Sequence, residues 1–61
     1  MTKKEMIKIM QDKEASAWIN LNCYENAFGD ADKITKSALR EWGEIYRLME
    51  ELGIKTKREE A

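Results

Sequence analysis

The residues of this chain equipped for specific chemistry are two tryptophans, two tyrosines, one cysteine and three closely spaced asparagines. Trp18, Asn20, Asn22, Cys23 and Tyr24 fall within Ala15 to Tyr24, a run without a charge in a chain that is 38% charged. Desolvating a charge is costly, so an uncharged run implies that several faces of this stretch are covered. Side chains of these types could cradle a planar polar ligand, with aromatic rings stacking on a base and asparagine amides bonding its edge. Arg40 and Arg47, on a basic line with Lys33 and Lys36, add guanidinium groups able to grip phosphate oxygens. The candidate ligand-binding set is therefore Trp18, Asn20, Asn22, Tyr24, Arg40, Trp42, Tyr46 and Arg47.

Each of these also has a plainer reading. The four aromatics suit a core, where their polar atoms would need partners. Asn20 suits a hydrogen bond across a helical bundle that fixes register, or simple exposure. Asn22, with Asn26, suits exposure or hydrogen bonding near a helix end. Arg40 with Glu44, and Arg47 with Glu51, have the i,i+4 spacing of a solvated, salt-bridged face.

Catalysis finds little support. Without histidine, proton transfer near neutral pH would need a strongly perturbed carboxylate or lysine. Cys23 has no neighbouring base and reads as a buried, inert thiol. No Glu-x-x-His pattern of a di-metal bundle, no zinc-ligand set and no glycine-rich phosphate loop is present. No catalytic residue, metal ligand or cofactor is assigned.

The elements that must position these groups are helices. Proline is absent, and Thr2 with Glu5 has the spacing of a capping box. Good helix formers predict a helix over about 3–28, with Gly29 as a left-handed stop and a turn at 29–31. Asp30 or Asp32 is placed to cap a second helix over about 32–52. Gly53 and Ile54 then fit a Schellman ending, followed by a charged tail, 55–61, expected to fray. At roughly 100° per residue, Met6, Met10, Ala17, Leu21, Tyr24 and Phe28 share one face of the first helix, with Ile7 and Trp18 on its shoulder. Ile34, Ala38, Trp42, Ile45, Met49 and Leu52 line the second. The fold class is all-α, an antiparallel helical hairpin forming a single domain.

A chain of 61 residues is near the lower limit for a self-sufficient core. A lone cysteine excludes an internal disulfide, which leaves oligomerisation as the remedy. Ile19 and Cys23 on the back of the first helix, and Leu39 and Tyr46 on the second, exceed what a single hairpin seam needs. The expected product is a homo-oligomeric bundle, most simply a dimer of four helices.

The net charge of −1 sets up no global field toward nucleic acid or membrane. Six of the eleven basic residues (Lys3, Lys4, Lys8, Lys55, Lys57 and Arg58) would gather at the open pole of a hairpin, diluted there by acidic neighbours. No apolar run approaches the roughly 20 residues of a membrane span, and "MTKKEMIKIMQDK" does not read as a signal peptide. A cytoplasmic protein is expected.

The start "MTKKEMI", the "AFGD" turn, "EW" at Glu41–Trp42, Tyr46 and the closing "MEELGI" resemble very small helical proteins encoded by bacteriophages and prophages, mostly of Gram-positive hosts. Some members of that class counteract host immunity by blocking a defence protein or by sequestering the nucleotide signal that activates it. The resemblance implies a non-enzymatic protein that sequesters a nucleotide-like molecule in a pocket between subunits. The alternative is a module that docks on a host protein. In size and architecture the expected dimer also looks like the Rop type of RNA-binding protein, but it lacks a basic stripe free of acidic neighbours. Nucleic acid therefore ranks below the other partners.

Overall fold

Thr2 opens the chain's regular structure. Its hydroxyl oxygen accepts from the Glu5 amide and so satisfies one of the four orphan donors of a helix start. The computed structural model describes residues 1–61, and in it α1 runs over Lys3–Phe28, α2 over Lys33–Leu52 and α3 over Lys57–Glu60. The chain is all-helical, and the two long helices pack against each other as an antiparallel hairpin.

The turn depends on Gly29, whose φ of 85° and ψ of 165° lie in a region that essentially only glycine occupies. It is thus an extended positive-φ residue, where a left-handed helical one was expected. Asp32 caps α2, its side chain accepting from the Ile34 amide at 2.9 Å. α2 ends in the Schellman arrangement: the Ile54 amide reaches the Met49 carbonyl at 2.8 Å, and Gly53 takes the left-handed conformation.

The seam between α1 and α2 departs from the expected stripe. On α1 the buried residues are Gln11, Glu14 and Leu21, with Ile7 and Trp18 half-buried beside them. These five positions follow the 4-3-4-3 spacing of one helix face. Of the apolar stripe Met6, Met10, Ala17, Leu21, Tyr24 and Phe28, only Leu21 is buried; Met10 and Ala17 are half-buried and the rest exposed. Polar Gln11 and Glu14 were passed over because counting apolar residues alone rotates the apparent core by more than half a quadrant. On α2 the stripe is closer to expectation. Thr35, Ala38 and Met49 are buried, Trp42 and Ile45 half-buried, and the end residues Ile34 and Leu52 exposed.

The tail does not fray. Thr56 and Glu59 form a reciprocal capping box that starts α3, and Thr56 is only 1% exposed. The segment folds back on α1: Gln11 donates to the Lys55 carbonyl at 2.9 Å and to Glu60 at 2.8 Å, and Lys57 pairs with Asp12. "TKRE" repeats the Thr-x-x-Glu spacing of "TKKE" at the chain's start, a signal available in the sequence.

Candidate functional site

Glu14 and Arg58 organise a charged cluster inside the fold. Glu14 lies one turn before Trp18 on α1, so both side chains face the seam. Its side chain is fully buried, and Oε2 accepts from both the Trp42 indole N–H, at 2.6 Å, and the Arg58 guanidinium. Oε1 has no donor. A buried charge of this kind persists only when paired, and the tail supplies the pairing cation.

Aromatic rings wall the cluster. The Trp18 and Trp42 ring centroids are 5.0 Å apart, and Trp42 stacks on Tyr46 at 5.1 Å, one turn further along α2. The Arg58 guanidinium carbon sits 4.6 Å from the Trp18 ring centroid, within cation–π range. Beside these groups lies an open cleft of about 370 Å³, lined by Trp18, Trp42, Tyr46, Thr56, Arg58 and Glu59. Its surroundings are acidic: Glu59 first, then Glu50, raise the Tyr46 hydroxyl above its ordinary value of 10.0. At the edge of the tail, the hydrogen bond from Lys57 holds the Asp12 carboxyl below its ordinary 3.8.

Of the eight residues expected to bind a ligand, Trp18, Trp42 and Tyr46 come together here. The other five lie elsewhere. Asn20 and Tyr24 are on the opposite flank of the hairpin, Asn20 in a shallow groove with Lys13, Ala17, Glu41 and Ile45, and Tyr24 against Phe28 at 6.4 Å between ring centroids. Asn22 is exposed and donates to the Trp18 carbonyl at 2.9 Å. Arg40 and Arg47 are exposed on the outer side of α2, and neither forms the i,i+4 ion pair anticipated for it. Cys23 is exposed, which corrects its expected burial: its helix face points away from α2.

Glu14, Thr56 and Glu59 lie outside the expected ligand set, and Arg58, expected only in a basic cluster at the open pole, sits instead on Glu14 and Trp18. Glu14 could have been found, because it falls midway between Ile7 and Leu21 on the heptad line that meets α2. Arg58 could not, since only the reversal of the chain after Gly53 brings it to α1.

The second feature of the surface is apolar. Met6, Tyr24, Phe28, Ile34, Leu48 and Leu52 are exposed on the flank away from the tail. At the open pole, where the tail returns, a groove of about 410 Å³ lies between Met6, Ile7, Leu52 and Ile54 and is bordered by the tail residues Lys55 and Glu60.

Comparison of the chain with protein-family models, with curated proteins and with solved structures finds no match. The class that fold and site define is thus structural: an all-helical hairpin strapped by its own C-terminal segment.

Proposed function

We propose that the chain is a non-enzymatic binding module whose working form is two hairpins packed through the apolar flank into a four-helix bundle. The observation that carries this reading is surface area. The accessible surface is 4843 Å², about 700 Å² above the roughly 4100 Å² of a folded monomer of 7.2 kDa. That excess is close to the roughly 800 Å² per partner of a standard interface. Only Leu21, Ala38 and Met49 are buried apolar residues, so the single hairpin leaves most of its hydrophobic content in water.

The mechanism is stoichiometric capture without turnover. Carried over from the phage-type resemblance, the captured component is a constituent of the host cell, and a host protein is preferred to a nucleotide. A base-and-phosphate pocket would need Arg40 or Arg47 of one hairpin to reach the aromatics of another, and Glu14, Glu50 and Glu59 around those aromatics disfavour an anion.

The test is solution mass, by native mass spectrometry and sedimentation, of the full chain and of Leu48→Glu. A dimer for the parent and a helical monomer for the variant are expected. A parent chain that stays monomeric at millimolar concentration would refute the paired form.

A further inference from the structure

The Glu14–Arg58 cluster has more features than a structural tie requires. Its carboxylate is fully enclosed, positioned by the Trp42 indole N–H, and left with one oxygen that no group in the chain reaches. A tryptophan face stands over the cationic position, and an unfilled cleft opens next to it. An aromatic wall beside a buried carboxylate is the chemistry that recognises organic cations, and a planar guanidinium satisfies both parts by stacking while it donates in its own plane.

The present occupant fits this position imperfectly. Arg58 is carried on a helix of a single turn, reaches Glu14 through one nitrogen to one oxygen, and keeps its side chain 41% exposed. An arginine not tethered at Thr56 could move deeper and bond both carboxylate oxygens in the bidentate manner. Besides Arg58 the strap has few anchors: the buried Thr56, the buried Gln11 amide on the Lys55 carbonyl and Glu60, and Lys57 to Asp12, a pair with both side chains about half exposed.

We propose that the place Arg58 occupies, between the buried Glu14 carboxylate and the Trp18 face and beside the cleft of Trp42 and Tyr46, is a binding site for a guanidinium group. The chain's own Arg58 fills it at rest, and an arginine side chain of a partner protein takes it by displacing the tail. The residues of this site are distinct from the exposed apolar residues Phe28, Ile34 and Leu48, so the Leu48→Glu test of pairing leaves it untouched.

The first experiment uses the full chain with Arg58→Ala, which empties the site, and ethylguanidinium as the probe. Tryptophan fluorescence and the thermal midpoint are read at fixed protein concentration. Expected is saturable recovery of both toward parental values in the millimolar range, with at least a several-fold weaker response to ethylammonium. No recovery is expected in Glu14→Gln with Arg58→Ala. An equal response of the single and double variants would overturn the site.

Where Arg58→Ala does not fold, the parent chain itself carries the test. A short peptide bearing one arginine should shift the amide signals of Lys57–Ala61 together with both indole N–H signals, and the same peptide with norleucine should not. Tail signals unmoved at millimolar peptide would refute displacement. Tail signals that change with protein concentration alone would assign the site to a second copy's Arg58 and refute a foreign arginine.

Discussion

Removing Arg58 should cost far more than its position near the end of the chain suggests. In Arg58→Ala the Glu14 carboxylate loses its cation and keeps the Trp42 indole as its only donor within the chain. Breaking one side of a buried pair costs about 3–5 kcal/mol, and the lower end applies because the Arg58 side chain is 41% exposed. Loss of the stack on Trp18 adds about 0.5 kcal/mol at such a partly exposed site. A chain of 61 residues has a total stability of only about 3–9 kcal/mol at usual per-residue values. The variant should therefore melt roughly 14–28 °C below the parent, and at the low end of that stability range it would be largely unfolded at room temperature. The double variant Glu14→Leu with Arg58→Met should recover most of the loss, because replacing both members of a buried pair with apolar groups of similar volume is often neutral or stabilising. The assay is urea and thermal unfolding by far-ultraviolet circular dichroism at one protein concentration, since association would make the midpoints concentration-dependent. An Arg58→Ala midpoint equal to that of the parent would show that Glu14 finds other partners and would refute the argument.

Further outcomes follow from the same contacts. Asp12 has a lowered pKa in the folded chain, so its pairing with Lys57 stabilises the fold above the ordinary 3.8 and is lost as pH falls through the depressed value. Asp12→Asn should flatten that part of the acid limb in a comparison of thermal midpoints across pH. Tyr46 behaves in the opposite sense. Its proton is held more tightly in the folded chain, so stability should decline as pH rises from about 10.0, and Tyr46→Phe should remove the decline while tyrosinate absorbance shows the late titration. Thr56→Ala removes the hydroxyl half of the α3 capping box and leaves the residue-56 amide on Glu59, at a cost of about 1 kcal/mol, and should speed amide exchange in Lys57–Ala61 before it changes the long helices. Gly29→Ala forces a Cβ onto a positive-φ extended residue and should destabilise by about 1–3 kcal/mol, read from the urea midpoint, although space around it is open.

The hairpin was legible because its punctuation is chemical and local. Asp32 and the Gly53–Ile54 pair each act within one turn as their residue types require, and Thr2 caps α1 with its hydroxyl, although the Glu5 carboxylate accepts from that hydroxyl instead of closing the box on the Thr2 amide. The direction of the α1 core was not legible, because it depends on Gln11 and Glu14 being buried, and a polar residue becomes buriable only when partners come from far along the chain. Those partners, Lys55, Arg58 and Glu60, are 44 to 49 residues away. For the same reason the candidate site was half visible. Trp18, Trp42 and Tyr46 announce themselves by type, whereas Glu14 and Arg58 look like ordinary surface charges until the tail turns back. Arg40 and Arg47 announced themselves equally well, yet they face solvent, because helical phase puts them on the outer side of α2.

The energetics of the Glu14–Arg58 pair bear on how its occupant could change. Breaking the pair is costly, but the pair as a whole contributes little net stability, since desolvation offsets most of its attraction. Spontaneous opening of the tail removes the cation from Glu14 and is suppressed by roughly two to three powers of ten, at about 1.4 kcal/mol for each. Exchange for another guanidinium strands nothing, so its free energy reduces to the difference between two arginines on one carboxylate. The tethered arginine holds the advantage of effective concentration, on the order of millimolar for a short flexible connection. A free guanidinium at low concentration therefore does not displace the strap. An arginine that arrives with further contacts, or one that bonds the unpaired Oε1 as well as Oε2, does. The strap thus works as a threshold: it keeps Glu14 paired in the absence of a partner and yields to one that supplies the same chemistry with a better grip.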